Sequence, residues 1–571
     1  MNANEIAHLL EEIATLMELL GENAFKINAF RRGARQLEDL SEDLGSLIEE
    51  DRLDSVPGIG KALKEIIEAL YHTGTVDVLE DLRKQVPEGL TEMLKIPGLG
   101  AKKISAIYNK LNITKINELK KACKAEKLSK LPGFGKKTED KILDGIAHLE
   151  EYSKRKLWWD ANETANTFLD SLRELEGVER AEVAGSVRRG KETIGDIDLL
   201  VASSDPVPIM KWFVSQSFTA SVTSHGETKS SIRIKDGLQV DLRIVPNKQF
   251  PFAWHYFTGS KEHNIKMRSL AKTNGWTLNE YDLEGCKKEI SSEEELFKAF
   301  GLAYIPAELR EDHGEIEAAK TGTLPNLVNE SDIRGVFHNH TRASDGQASL
   351  EEMAEKADEY GWEYLGLADH SKSSVQANGL SEERLFNQIE QIEKINKSGK
   401  FKVHLFSGVE CDILQDGVLD FDQDVLKRLD YVVVSVHQGF QLDEKSMTDR
   451  IIKALENPMT TMLGHLTGRL LLKREPYAVN VDKVIDAAAA NGKIIELNAN
   501  PYRLDMDWRH WKKAKQKGVM CAINPDAHST GQLDFYKAGV TVARKGWLEK
   551  KNILNTFSLN KVKRMLSNRS F

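Results

Sequence analysis

Hydrophobic and polar positions change register three times along this chain. The first segment opens on MNANEIAHLLEEIATLMELL, whose apolar residues recur at helical spacing. Lysine-bearing amphipathic helix patterns then follow three copies of one phrase: VPGIGKALKEII from Val56, IPGLGAKKISAI from Ile96 and LPGFGKKTEDKI from Leu131. From about residue 180 the pattern turns to short apolar runs. VAGSVRRGKETIGDIDLLVAS, residues 183–203, reads as strand, Gly-Ser turn, basic segment and strand, and LQVDLRIVP, residues 238–246, supplies another run. A charged helical pattern within ELREDHGEIEAAKTGTLPNLVNESDIRG, residues 308–335, gives way to TGTLPNLVNES, which predicts a linker. Beyond residue 336, apolar runs alternate with helical patterns such as SLEEMAEKADEYG and VDKVIDAAAANG. That alternation, with polar residues at the ends of the runs, predicts an α/β barrel.

At 571 residues the chain exceeds one compact domain. Cys123, Cys286, Cys411 and Cys521 are far apart in sequence, which speaks against a disulfide scaffold or zinc ribbon and for a reducing cytoplasm. The N-terminus has neither a basic start nor a long apolar run, so no membrane association is expected. The net charge of −9 alone argues against nucleic acid, but its distribution does not: residues 101–150 hold twelve lysines against six carboxylates, whereas residues 1–50 hold four basic and eleven acidic residues. A chain acidic overall can still present a basic face to phosphates.

That basic segment contains two of the three repeated phrases. In each, Pro and two Gly make a tight turn that delivers the chain into a helix, whose first N–H groups and dipole suit a phosphate oxygen. Gly58, Gly60 and Lys61 form the first such site, Gly98, Gly100, Lys102 and Lys103 the second, and Gly133, Gly135, Lys136 and Lys137 the third. The triple repeat resembles the helix-hairpin-helix motif, which implies binding to the DNA backbone without sequence reading and a monovalent cation held by loop carbonyls.

Asp196 and Asp198 lie two apart in the apolar run IGDIDLLV, so on a strand both face one side. Asp241 in LQVDLRIVP is the third carboxylate expected on a neighbouring strand. Three such carboxylates can hold two divalent cations for nucleotidyl transfer. Gly185 and Ser186 offer donors to a triphosphate, and Arg188 and Arg189 can neutralise it. With HYFTGSKEHNIKMRSLA at 255–271 and WTLNEYDL at 276–283, residues 1–315 resemble the family X DNA polymerases, the group of DNA polymerase β. The resemblance implies Asp196, Asp198 and Asp241 as catalytic metal ligands for Mg²⁺ or Mn²⁺, and Ser186 and Arg189 as triphosphate contacts. Tyr256 and Phe257 would lie near the incoming sugar, Gly259 would let the backbone approach the nucleotide, and Asn264 and Arg268 would touch the incoming base and the template minor groove. Two departures stand out. Ile66 occupies the position of the family's lyase lysine, so no Schiff base can form there, and Gln239 stands where polymerase β has an arginine.

Eight of the fifteen histidines follow residue 336, several of them at ends of apolar runs: FHNH, YLGLADH, YVVVSVH, TMLGH and CAINPDAH. Histidine and carboxylate without cysteine suit Mn²⁺, Zn²⁺ or Fe²⁺. The set resembles the PHP domain, a distorted barrel with a trinuclear metal centre, and the resemblance assigns as ligands His338, His340, Asp345, His370, Glu410, His437, His465, Asp526 and His528. His404 and His510 fall outside the pattern. The whole chain thus resembles bacterial family X polymerases with a C-terminal PHP domain. The expected fold is multidomain: a helical N-terminal domain at 1–80, a helical DNA-binding domain at 81–153, an α+β nucleotidyltransferase palm at 154–250, a thumb-like domain at 251–316, a linker at 317–332 and the barrel at 333–571. Expected partners of a monomer are gapped or nicked DNA and deoxynucleoside triphosphates. The implied activities are gap-filling synthesis and metal-dependent 3′–5′ exonuclease action, with abasic-site cleavage open. Two other readings compete: a non-catalytic repair scaffold, and a nucleotidyltransferase on a non-DNA substrate joined to a metabolite phosphatase.

Overall fold

The computed structural model describes residues 3–38, 44–56, 58–94, 96, 99–152 and 155–568. Two compact units divide the chain, the first essentially Met1–Ser153 and the second running from Lys154 onward. Among the described residues no helix is long and apolar enough to cross a membrane.

The first unit is helical. Helix α1 (Ala3–Leu20) packs on α2 (Ala24–Glu38), burying Ile6, Leu10, Ile13 and Met17 at the spacing expected of an amphipathic helix. The three repeated phrases lead into α3 (Lys61–Thr73), α4 (Ala101–Leu111) and α5 (Lys136–Tyr152). Gly74 and Asn112 end α3 and α4 in the left-handed conformation. Leu63, Ile67 and Leu70 form the buried stripe of α3, and Ile66 lies on its flank against the same core.

The second unit begins with α6 (Trp158–Arg173) and a five-stranded palm sheet: β1 (Arg180–Val183), β2 (Asp196–Ala202), β3 (Thr219–His225), β4 (Lys229–Ile234) and β5 (Gln239–Val245), in the order β1-β2-β5-β4-β3. The turn after β1 forms the short helix α7 (Gly185–Arg188), and α8 (Pro206–Val214) follows β2. Ile197, Leu199 and Val201 of β2 pack with residues of α6 and α8. The alternate residues face the other way: Leu200 and Ala202 pack against Phe250 and Ala253 of α9 (Phe250–Thr258), and Asp196 and Asp198 lie beyond them toward the strand's start. Helices α10 (Lys261–Thr273) and α11 (Glu293–Ala299) complete a thumb built around Phe252, Met267, Leu296 and Phe297.

The expected linker is not a free connector. Glu315–Thr321 is helix α12, Leu327 and Val328 are buried, and Leu327 forms a β-bridge with Glu549. Two adjacent apolar residues in a polar stretch supply the reason: both find cover.

Seven parallel strands follow in sequence order: β6 (Gly335–Val336), β7 (Tyr364–Leu367), β8 (His404–Asp412), β9 (Tyr431–Ser435), β10 (Met462–Leu463), β11 (Ile494–Asn498) and β12 (Cys521–Asn524). Asn339 and Ala527, just past the first and last strands, form a parallel bridge that nearly closes the sheet into a barrel. Helices α13 (Leu350–Glu359), α14 (Glu382–Ser398), α15 (Glu444–Glu456), α16 (Val481–Ala490), α17 (Trp508–Gln516) and α18 (Tyr536–Lys545) share its apolar outer core. Inside, Phe337, Tyr364, Phe406 and Tyr431 form an aromatic plug. Gly366 leaves it room, since a Cβ there would collide with Phe337 and Tyr431.

Candidate active sites

In the palm, β2 and β5 pair in parallel with Asp198 opposite Asp241 and Asp196 opposite Gln239. The register therefore brings Asp196, Asp198 and Asp241 to one face at adjoining positions. Burial, then the charges of Asp196 and Asp241, push Asp198 up to about 7, and burial and Asp241 also raise Asp196. Burial and mutual repulsion thus both work against the ionisation of Asp196 and Asp198. Gln239 donates to Asp241 Oδ1 at 2.9 Å, so a neutral amide holds this carboxylate.

The Gly-Ser turn sits against Asp198. Gly185 adopts φ +60°, and a Cβ there would strike Asp198 Oδ2, so the residue must be glycine on both counts. Ser186 is half-buried. The two arginines that follow diverge. Arg188 pairs with Glu293 at 2.5 Å and lies over the Trp254 ring, while Arg310 joins the same carboxylate at 2.7 Å. Arg188 is thus committed to locking palm to thumb, not to neutralising a triphosphate. Arg189 binds Glu311 through Nε at 3.1 Å and the Thr258 carbonyl through Nη1; its Nη2 makes no hydrogen bond among the described residues. On the thumb, Tyr256 and Phe257 meet edge to face, with Arg243 over Phe257. Gly259 adopts φ +70° beside Arg189, and Asn264 Nδ2 donates to the Tyr256 carbonyl at 2.8 Å while its buried Oδ1 has no partner. Arg268 is exposed farther along α10.

In the first unit, the helix starts are open. Gly60 and Gly100 cap α3 and α4 with extended backbone, and neither helix has an acidic residue in its first turn. In α5, Glu139 is buried and accepts from Leu128 N–H at 3.1 Å, which keeps it off the surface. Lys61, Lys102, Lys103, Lys136 and Lys137 are exposed, with Lys136 pairing to Glu126 at 2.7 Å. Gly58 and Gly133 need positive φ, but Gly60, Gly100 and Gly135 do not, and a Cβ on any of these three would meet nothing within 4 Å. Nothing among the described residues demands glycine at these three positions. Gly98 lies outside the described residues.

At the C-terminal mouth of the barrel all nine expected ligands converge. His338, His340 and Asp345 follow β6, His370 follows β7, Glu410 sits near the end of β8, His437 and His465 follow β9 and β10, and Asp526 and His528 follow β12. Glu410 is the hub: its carboxylate lies 3.2 Å from His338 Nε2, 3.0 Å from His370 Nδ1, 3.3 Å from His437 Nε2 and 2.9 Å from His465 Nε2. Three groups are close enough to hold a cation each: His340, Asp345, His370 and His528; His338, His340 and Asp526; and His370, Glu410 and His437. His338 Nε2, His340 Nδ1, His370 Nδ1 and His465 Nδ1 are buried without a well-aligned hydrogen bond. Buried imidazole nitrogens left unsatisfied among carboxylates fit divalent cations. Burial opposes the charged imidazole of His338, but Glu496, Glu410 and Asp526 outweigh it and hold its pKa well above the ordinary range. His404 opens β8 at the opposite end of that strand from Glu410.

Four groups behind the ligands escaped the sequence reading. Glu496 accepts from His338 Nδ1 at 2.6 Å and from His465 N–H at 2.9 Å. Asp412 binds His437 Nδ1, Arg503 Nε lies 3.3 Å from Asp526, and Asp369 accepts from Thr341, Ser344 and Gln388 to hold the loop before Asp345. Such partners fix imidazole tautomer and orientation. The available signal was a carboxylate inside an otherwise apolar strand, as in IIELN and GVECD.

Sequence comparisons match four segments of the chain. Residues 1–76 match the helix-hairpin-helix domain, 90–147 the SAM-like helix-hairpin-helix tandem, 253–311 the DNA polymerase beta thumb and 337–500 the PHP domain. The DNA polymerase/3′-5′ exonuclease PolX of Bacillus subtilis is 40% identical over 572 residues, covering 99% of both chains. The chain belongs to the bacterial PolX family, the family X DNA polymerases that carry a C-terminal PHP domain. A protein named as a probable phosphatase in Thermoanaerobacter sp. is 29% identical over 241 residues, 40% of this chain and 92% of its own. DNA polymerase lambda of Rattus norvegicus is 25% identical over 287 residues, 44% of this chain and 48% of its own.

Proposed function

We propose that this protein is a DNA-directed DNA polymerase that fills short gaps during repair of the base-excision kind, and that its barrel is a 3′–5′ exonuclease acting on the same DNA. The observation that carries the first half is the register of β2 and β5, which sets Asp198, against the Gly-Ser turn, beside Asp241 with Asp196 on the same face. In this reading Asp196, Asp198 and Asp241 hold Mg²⁺ or Mn²⁺, and the nine groups at the barrel mouth hold Mn²⁺, Zn²⁺ or Fe. When bound, divalent cations supply Lewis acidity and positive charge at a phosphoryl centre.

The chain's own residues do the rest. Ser186 and the open Nη2 of Arg189 bind the triphosphate. Tyr256 and Phe257 shape the space for the sugar, Gly259 lets backbone approach, and Asn264 touches the incoming base. Arg268 reaches the template strand. The three helix starts of the first unit hold backbone phosphates through N–H groups and lysines, and loop carbonyls there hold a monovalent cation. Ile66 cannot form a Schiff base, so the protein fills gaps without a lyase step at that position.

Replacing Asp198 by Ala tests the polymerase half. Losing charge stabilisation of this kind costs ~10²–10³ or more in rate. Single-nucleotide gap filling should be lost while 3′-end degradation persists. Synthesis near the parent rate would remove the carboxylates from the chemistry.

A further inference from the structure

The loop expected to hold the triphosphate is braced from outside the palm, by the last turn of barrel helix α18. Lys545 is fully buried, which for a lysine demands oxygen partners. It finds three: the carbonyl of Arg189 at 2.9 Å, Glu311 Oε1 at 2.7 Å and the carbonyl of Glu308 at 3.4 Å. The first belongs to the GSVRRG loop itself. The second is the carboxylate that holds Arg189 Nε at 3.1 Å and Lys191 Nζ at 3.2 Å. Lys545 therefore grips the loop twice, once through the backbone of Arg189 and once through the group that orients its guanidinium.

The approach is close. Gly190, which ends the motif, adopts φ +62°, and a Cβ there would collide with Thr541 Cγ2, one turn before Lys545 on α18. The final glycine of GSVRRG is thus required by the barrel as well as by its own backbone. Arg544 strengthens the same seam through Glu308 at 2.6 Å.

We propose that Lys545 is a positioning residue for nucleotide addition. It fixes the triphosphate-binding loop from the barrel, so the exonuclease domain forms part of the scaffold of the polymerase's nucleotide site. This rests on the reading of Ser186 and Arg189 as triphosphate contacts. A group acting only through that loop should alter how tightly the nucleotide is held. It should leave the chemistry of Asp196, Asp198 and Asp241 alone, because these stand on β2 and β5, which Lys545 does not touch.

The test uses the full chain and a single-nucleotide gap, with KM for the complementary deoxynucleoside triphosphate and kcat measured separately, alongside 3′-end degradation and thermal melting. Lys545→Met should raise KM ~10-fold, as expected when one charge-assisted hydrogen bond is removed. Its kcat and its 3′-end degradation should stay within about twofold of the parent, the scale of an interaction acting on ground-state and transition-state binding alike. Glu311→Gln, which keeps size and shape, should do the same, and the double variant should be no worse than the worse single one, because both remove one linkage. Arg189→Ala separates the role of the loop from the role of the brace. If it leaves KM unchanged, the loop does not hold the triphosphate and the proposal falls with that reading. If it raises KM while Lys545→Met and Glu311→Gln do not, the loop reading stands and the brace is overturned. A Lys545→Met protein that loses kcat, KM and degradation together and melts early, with Glu311→Gln silent, would also overturn it, leaving a purely structural lysine.

Discussion

Two buried carboxylates show how single residues divide between chemistry and support. Glu496 has no exposure, yet it touches His338 and the backbone of His465, not the open mouth. Its role is to hold imidazoles in one tautomer, and losses of this kind cost ~10–100-fold. Glu496→Gln should therefore slow 3′-end degradation by about that factor and leave gap filling unchanged, measured on one labelled substrate; equal loss of both activities would mean a general folding defect. Glu311 serves the loop rather than a metal. Burial opposes its charge, but Lys545 and Arg189 hold its pKa down to about 2 from 4.5. A carboxyl lowered on folding stabilises the native state above its unfolded pKa, and that contribution is lost as pH falls from about 4.5 toward 2. It is on the order of 3 kcal/mol. The parent should melt above Glu311→Gln at pH 7, with the gap narrowing steadily below pH ~4.5; a gap independent of pH would show that the carboxylate's charge is irrelevant there. Arg188 and Arg189 mark the limit of reading single residues from sequence. They are adjacent and chemically identical, and partners more than a hundred positions away, Glu293 for Arg188 and Glu311 for Arg189, distinguish them.

At the level of elements, what was legible followed from local periodicity. Residues two apart on a strand must share a face, so Asp196 and Asp198 could be paired before any fold was known, and LQVDLRIVP was recognisable as the neighbour that brings Asp241. The histidines at the ends of apolar runs were legible for the same reason, because strand ends of a parallel barrel point to one mouth. Glu496 was not, since a carboxylate within a five-residue apolar run reads as an interruption until the strand across from it is known. The repeated glycine turns were legible as helix starts, and a Cβ on Gly60, Gly100 or Gly135 would meet only open space among the described residues. Their hold on DNA should be electrostatic and blind to sequence. Replacing Lys102, Lys103, Lys136 and Lys137 by Ala should weaken binding to gapped DNA about equally for different sequences. It should also flatten the salt dependence by ~0.7–0.9 for each phosphate no longer neutralised. An unchanged slope would assign these helices to the scaffold alone.

For the whole molecule, the segment expected to be a linker proved the most informative disagreement. TGTLPNLVNES has the polar composition of a connector, but Leu327 and Val328 are buried and Arg544 donates to the Val328 carbonyl at 2.9 Å. The helix YKAGVTVARK carries no mark in sequence of the two cations that reach Glu308 and Glu311, because such pairing across more than two hundred residues leaves no local pattern. Thumb, palm and barrel therefore share one compact unit, while the two centres proposed for them are built from different residues: three carboxylates on adjacent strands, and a histidine-rich ring around Glu410. That separation of chemistry within a shared scaffold is the central claim. It is tested most directly by His338→Ala combined with His340→Ala, assayed for gap filling and for 3′-end degradation in Mn²⁺ on the same DNA. The account predicts that degradation disappears while nucleotide addition continues at the parent rate. Degradation at the parent rate in that variant would contradict it.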